Sequence, residues 1–165
     1  MKFSVGVEYA LHCLLYMVEM KETVGIKELA KFQGISETYL SKVYGKLSKN
    51  KIVTSVPGVK GGYVLAKKAE EITFLDVVEA VEGKEPFFQC AEIRQNNILL
   101  DQENASEEYK KCPCLIHVVM LEAENEMKKY LQNKNLKWLY DEVYYKKLPE
   151  QEKTKMLLWF EENRG

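Results

Sequence analysis

The N-terminal part of the chain repeats apolar positions with the period of an α-helix. The first such set is Val7, Ala10, Leu11, Leu14, Leu15 and Val18. It predicts an amphipathic helix that ends near Met20. A second, shorter helix is predicted from Ile26 to Gln33, because Gly34 suits the left-handed position that follows a helix.

The next apolar set predicts a third helix that begins after a serine. Ser36 can cap this helix with its hydroxyl group. The inward positions are Leu40, Val43, Tyr44 and Leu47. The opposite face carries Thr38, Ser41, Lys42, Gly45, Lys46 and Lys49. A helix, a short glycine turn and a second helix in this order are typical of a helix-turn-helix.

A glycine-rich segment between two short β-rich stretches predicts a β-hairpin. Residues 52–56 are rich in β-branched side chains, residues 57–62 contain a proline and three glycines, and residues 63–65 are aromatic or apolar. Two strands joined in this way are expected to form the wing of a winged helix. Another helix is predicted to run from Thr73, which can form a capping box, to Gly83.

The region from residue 84 to residue 114 has no sustained apolar period and is predicted to be a long loop, with a polar run over residues 101–111. The helical period returns after this loop and predicts a long helix from Leu115 to Leu131. Apolar residues at Met120 and Leu121 widen its apolar face. A helix that is apolar on more than one face needs a second partner. We therefore expect this helix to pair two copies of the chain.

These elements predict a mainly α fold with a small β-hairpin wing. We expect a winged helix-turn-helix DNA-binding domain over residues 1–83 and a cysteine-containing sensor loop over residues 84–114. The remainder, residues 115–165, is predicted to hold the dimerisation helix and two tail helices, from Leu136 to Tyr145 and from Pro149 to Asn163.

The composition is that of a soluble globular protein. Of the 165 residues, 46% are hydrophobic and 30% are charged, and no apolar run approaches the ~20 residues that a membrane-spanning helix needs. The N-terminus lacks the features of a signal peptide. We therefore expect the chain in the cytoplasm, with its four cysteines kept as thiols.

The formal net charge of −1 conceals an asymmetry along the chain. Residues 1–69 contain eleven lysines and five glutamates, a net charge of +6, which leaves −7 for the remainder. A basic N-terminal part and an acidic C-terminal part are expected when only the former approaches phosphate.

The outer face of the third helix carries side chains suited to the major groove of DNA. Small hydroxyl groups near its start can reach base edges and phosphates, and the lysines that follow can neutralise backbone charge. In the wing, Lys60 can reach an adjacent groove. The predicted DNA-binding residues are Ser36, Thr38, Tyr39, Ser41, Lys42, Lys46, Lys49, Gly58, Lys60 and Gly61. The alternative is a polar helix face beside an ordinary hairpin turn.

Four segments have residue patterns that are more specific than the general spacing of a helix-turn-helix. They are Tyr9 to Leu11, Ile35 to Leu40, Ser55 to Tyr63 and Ile72 to Gly83. They resemble the Rrf-type winged helix-turn-helix regulators that include IscR, NsrR and CymR. The resemblance implies a homodimeric DNA-binding transcriptional regulator, usually a repressor, that places two wings on a palindromic operator. In the wing, Pro57 stands where many members have an arginine, which leaves Lys60 as its substitute.

Three cysteines and a histidine lie before or near the start of the long helix: Cys90, Cys112, Cys114 and His117. Several members of the family hold an iron-sulfur cluster in this loop, so the resemblance implies these four residues as candidate ligands of a 2Fe-2S or 4Fe-4S cluster. Other roles stay open: a thiol redox switch joining Cys90 to Cys112 or Cys114, a zinc site, or ordinary loop residues. Cys13 lies among apolar helix residues and is assigned to the core.

A cluster or a disulfide in the loop would change how the dimer helix sits against the winged helix, and so the spacing of the two recognition helices. Two other functions stay open. An enzyme is disfavoured because no phosphate-binding glycine loop or nucleophile motif occurs, although a metal- or thiol-dependent activity would use the same cysteines. A winged helix used only for protein contact is the other alternative, and the lysines of the third helix argue against it.

Overall fold

A computed structural model describes residues 2–99 and 106–165 of the chain. Its helices are α1 (Val5–Met17), α2 (Ile26–Gln33), α3 (Glu37–Lys49), α4 (Phe74–Glu82), α5 (Glu107–Lys111), α6 (Leu115–Gln132), α7 (Leu136–Asp141) and α8 (Glu150–Glu162). Its strands are β1 (Val53–Val56) and β2 (Gly62–Leu65). Internal contacts define two units, one of the residues up to Lys84 together with Leu131–Gly165 and the other of Glu85–Tyr130.

The helix-turn-helix of α2 and α3 follows the sequence pattern closely. Gly34 ends α2 in the left-handed conformation, with φ of 70°, and Ser36 caps α3 by accepting a hydrogen bond from the amide of Tyr39 at 3.3 Å. Strands β1 and β2 pair in antiparallel fashion, with Val53 opposite Leu65. The predicted fold class, mainly helical with a two-stranded wing, is confirmed.

Helix α1 ends at Met17, earlier than the predicted end near Met20. The cause lies further along the chain, where Val24 pairs with Tyr63 of β2. The amide of Val24 donates to the Tyr63 carbonyl at 2.9 Å, and the amide of Tyr63 donates back at 2.8 Å. The chain has to leave the axis of α1 to reach this position, so a non-local pairing shortens the helix.

The first unit has one core, to which both ends of the chain contribute. Its largest fully buried side chains are Tyr44, Tyr140, Leu14, Leu29, Leu40, Leu47, Ile72, Leu136, Val53, Val77 and Cys13. Thr73 caps α4 in a capping box with Asp76, as predicted. The amide of Leu136 donates to the Ile72 carbonyl at 3.0 Å, which fixes the start of α7 beside the start of α4. Helix α7 is therefore part of the winged-helix core.

The two tail helices form where the pattern predicts them, with one change. Helix α7 ends at Asp141 and continues as a π-helical segment, Glu142–Lys147, instead of remaining α-helical to Tyr145. Helix α8 packs on the helix-turn-helix through aromatic rings. The Phe32 ring of α2 lies 4.9 Å from Trp159 and 4.8 Å from Phe160, measured between centroids.

An ion pair joins α8 to the segment that directly follows α1. The Lys153 ammonium lies 2.7 Å from the Glu19 carboxylate, and the Tyr145 hydroxyl donates to the same carboxylate at 3.1 Å. Partial burial opposes ionisation of Glu19, but the hydrogen bonds from Lys153 and Tyr145 outweigh it and lower the pKa of Glu19.

The second unit is built on α6. Glu124 is its one buried charged side chain among the described residues, and its carboxylate lies 2.7 Å from the Lys128 ammonium. It also accepts a hydrogen bond from the amide of Phe87 at 3.0 Å, which ties the start of the loop to the helix. Residues 101–105 of the predicted polar run lie outside the described residues. Within the described ranges, every helix is too short or too polar to cross a lipid bilayer.

Candidate DNA-binding surface and cysteine loop

Helix α3 presents a polar and basic face to solvent. Thr38, Ser41, Lys42 and Lys49 are all exposed. The apolar residues of the same helix are buried in the core, so the rotation of α3 is fixed by packing. An exposed helix with hydroxyl groups at its start and ammonium groups after them fits the width and the charge of a DNA major groove.

Three of the predicted contact residues have partners inside the protein. The Ser36 hydroxyl is engaged in the α3 cap, and the Tyr39 ring packs edge-on against Tyr9 with centroids 5.5 Å apart. The Lys46 ammonium donates to the carbonyl of Val81, near the end of α4, at 2.6 Å. A DNA phosphate would have to compete with that carbonyl, so Lys46 holds α3 against α4.

The wing turn brings the backbone into a tight loop that requires glycine. The amide of Gly61 donates to the Gly58 carbonyl at 2.9 Å, and a Cβ atom on Gly61 would lie only 2.4 Å from the Val56 carbonyl oxygen. Gly58 has φ of 116°, a conformation that favours glycine. Lys60 is exposed at the tip, beside the almost fully exposed Val59, a residue that the sequence pattern did not single out.

The Cys114 sulfur lies at the N-terminus of α6. The amide of His117 donates a hydrogen bond to this sulfur, and the amide of Ile116 donates a second. The Cys90 side chain also interacts with it. These donors outweigh partial burial and lower the pKa of Cys114, as expected for a thiolate at the positive end of a helix.

The pKa of Cys90 shifts in the opposite direction. The amide of Glu92 donates to the Cys90 sulfur, which favours the thiolate, but partial burial and the neighbouring Cys114 sulfur outweigh it and raise the pKa of Cys90. Its thiol also lies 3.7 Å from the Glu92 carboxylate. That carboxylate pairs with the guanidinium group of Arg94 at 2.8 Å. We call Cys90 and Cys114 the cysteine pair.

The side chains of Cys112 and His117 have other neighbours than the cysteine pair. Cys112 is exposed, and its carbonyl accepts a hydrogen bond from Arg94. The His117 ring lies 6.1 Å from the Phe88 ring, and its Nδ1 atom is buried without a hydrogen-bond partner. In the part of the chain that is described, no three His, Cys, Asp or Glu side chains converge on a metal position, so the residues as arranged do not fit a cluster or a zinc ion.

Cys13 is fully buried in α1. Burial raises the pKa of its thiol to about 12, so the thiolate is not accessible at neutral pH. This supports its assignment to the core.

An exposed basic helix beside a glycine-rich wing defines a winged helix-turn-helix protein that binds DNA. Comparison with known proteins places it among transcriptional regulators. The model of the Rrf2 family, described as an iron-dependent transcriptional regulator, matches residues 3–142. The chain belongs to the Rrf2 family, as its resemblance to IscR, NsrR and CymR predicts.

Individual relatives agree with this family. A protein named HTH-type transcriptional regulator YffB, from Lactococcus lactis subsp. lactis (strain IL1403), is 33% identical over 147 residues, which cover 88% of this chain and 90% of YffB. Among solved structures, T. potens IscR has a TM-score of 0.65 and 20% identity, covering 90% of this chain and 93% of IscR. The oxidized form of Staphylococcus aureus CymR has a TM-score of 0.60 and 25% identity, covering 87% of this chain and 98% of CymR.

Proposed function

We propose that this regulator is a cytoplasmic homodimer that represses transcription from a palindromic operator, and that oxidation of its cysteine pair changes its affinity for DNA. It acts by binding and not as an enzyme. The observation that carries the regulatory part is the mutual influence of Cys90 and Cys114 on their pKa values, at the N-terminus of α6. DNA contact is assigned to Thr38, Ser41, Lys42 and Lys49 of α3 and to the wing.

The proposal of a homodimer rests on the apolar surface of α6. Leu115, Ile116, Val119 and Met120 lie on adjoining turns, and their side chains are between 42% and 74% exposed. A contiguous exposed apolar face of this kind marks an interaction site. A second copy of the same helix offers a complementary apolar face in a symmetric dimer.

The cysteine pair has the properties of an attacking thiol and its resolving thiol. With a hydroperoxide as oxidant, the Cys114 thiolate attacks the peroxide oxygen and the O–O bond breaks. Cys114 becomes a sulfenic acid, and the departing oxygen takes a proton from solvent and leaves as water or an alcohol. The sulfur of Cys90 then attacks the sulfenic sulfur, a disulfide forms, and water leaves with the Cys90 proton. Two thiols are oxidised and one peroxide is reduced.

A disulfide in this position would join the loop covalently to the first turn of α6. Its formation turns the Cys114 sulfur, which interacts with the amides of Ile116 and His117, into a disulfide sulfur that can no longer carry a negative charge. The start of the dimer helix therefore changes its bonding on oxidation. We expect this change to alter the spacing of the two recognition helices, which a palindromic operator reads.

The test compares DNA affinity in two redox states. The probe is a duplex selected from a random-sequence library by the reduced protein. We expect reduced and peroxide-treated protein to differ several-fold in affinity, and Cys114→Ser to lose the difference. Cys112→Ser, the matched control, should keep it. Equal affinities of the reduced and the oxidised wild type would contradict the proposal.

An iron-sulfur cluster is the alternative that the family description and the IscR relatives suggest. We derive no step through a cluster, because Cys112 and His117 do not converge with the cysteine pair. Protein purified without oxygen distinguishes the two: a colourless protein without bound iron or zinc supports the thiol pair. A brown protein with absorbance beyond the protein band would support cluster ligation by Cys90, Cys112, Cys114 and His117 instead.

A further inference from the structure

The wing is attached to the loop between α1 and α2, residues 18–25. The hydroxyl of Thr23 donates a hydrogen bond to the carbonyl of Lys60, at the tip of the wing, at 2.7 Å. One residue later, Val24 exchanges two backbone hydrogen bonds with Tyr63. The loop therefore adds one antiparallel bridge to the two-stranded sheet. The Thr23 side chain adds a further hydrogen bond, to the tip of the wing.

The approach of loop and wing is close enough to exclude a side chain on Gly62. A Cβ atom on Gly62 would lie 2.7 Å from the Val24 carbonyl oxygen, and Gly62 has φ of 154°. The base of the wing is thus held by backbone contact. The tip of the wing is held to the loop by the hydrogen bond that the Thr23 hydroxyl donates to the Lys60 carbonyl.

The loop is itself held by the C-terminal end of the chain, beyond the residues that the family model matches. Arg164 forms an ion pair with Glu22, and the amide of Gly165 donates to the Glu28 carboxylate at 3.3 Å. The first contact reaches the loop and the second reaches the first turn of α2, directly after it. Such exposed polar contacts contribute little energy singly. The buried ring of Phe160 anchors the same segment against the helix-turn-helix.

We infer that Thr23 is a positioning residue for the wing: its hydroxyl holds the Lys60 backbone where the Lys60 ammonium can reach DNA. Lys60 itself has an exposed, flexible side chain, so the position of its backbone sets where its charge can go. The inference rests on the proposed contact of the wing with DNA. It assigns no direct DNA contact to Thr23.

Two substitutions at Thr23 separate the hydroxyl from the shape of the side chain. Thr23→Val keeps the volume and removes the donor, whereas Thr23→Ser keeps the donor. We expect Thr23→Val to lower affinity for the selected duplex about threefold to tenfold, the effect of one hydrogen bond, and Thr23→Ser to bind like wild type. Amide hydrogen exchange at Gly61 and Gly62 should become faster in Thr23→Val alone.

A double-mutant cycle with Lys60→Ala completes the test. If Thr23 acts through Lys60, Thr23→Val causes no further loss of affinity in the Lys60→Ala background. An equal loss in both backgrounds, or wild-type affinity of Thr23→Val, would overturn the inference. Unchanged binding by Lys60→Ala would instead refute the proposed wing contact, so the two failures are distinguishable.

Discussion

Truncating two side chains on the exposed face of α6 is expected to separate the proposed dimer into monomers. Ile116 and Val119 lie on adjoining turns of the helix and are 67% and 61% exposed. If a second copy covers this face, each side chain loses its exposed area to the partner. The double variant Ile116→Ala, Val119→Ala removes that area without adding charge or changing the helix backbone.

The magnitude follows from the exposed fractions. Ile→Ala removes about three carbon groups and Val→Ala about two, at ~0.8 kcal/mol for each one fully buried. Scaled by the exposed fractions, the loss is about 2.6 kcal/mol per copy and about 5 kcal/mol for a symmetric dimer. This corresponds to a weakening of the dimer Kd by roughly three to four powers of ten.

Sedimentation equilibrium over a range of protein concentrations measures this Kd. The matched control is Glu126→Ala, an exposed position of the same helix that forms a surface ion pair with Lys129. The control should dimerise like wild type, and circular dichroism should show that all variants are folded. Wild-type association by the double variant would refute the assignment of α6 as the dimer helix, as would a monomeric wild type.

Four further outcomes are expected. Thr73→Ala should lower the free energy of unfolding in urea by about 1 kcal/mol through loss of the α4 cap, whereas the serine variant keeps it. Phe160→Ala should cost about 3–5 kcal/mol in the same assay, because its ring is buried. The folded state lowers the pKa of Glu19, so the ionised carboxylate stabilises the protein fully at pH values above its ordinary pKa of 4.5, and this stabilisation is lost as the pH falls below that value. Glu19→Gln should therefore be less stable than wild type at pH 7, and the difference should vanish in acid. Iodoacetamide at pH 7 should alkylate Cys114 rapidly and Cys13 only after unfolding, as mass spectrometry of the peptides would show.

The helix-turn-helix and the wing are predictable because their signals are local. Gly34 and Ser36 lie within a few residues of the helix ends that they form, and Thr73 does the same for α4. The alternation of buried and exposed positions then fixes which face of α3 is presented to solvent.

Contacts between distant segments were not predictable from these patterns. The bond from Lys46 to Val81 and the burial of Leu136 beside α4 depend on how helices far apart in sequence pack. The same holds for the choice among the cysteines. Cys90 could be paired with Cys112 or Cys114 on spacing alone, and only the fold of the loop brings it to Cys114.

The assignment of α3 and the wing as the DNA-binding surface is tested most directly by the salt dependence of binding to random duplex DNA. Each lysine-phosphate contact contributes about 0.9 to the slope of log affinity against log salt concentration. Lys42→Ala and Lys49→Ala should therefore each lower the slope by about 1.8 in a dimer, and Lys155→Ala, on the exposed side of α8, should leave it unchanged. Slopes that stay at the wild-type value in both α3 variants would contradict this assignment.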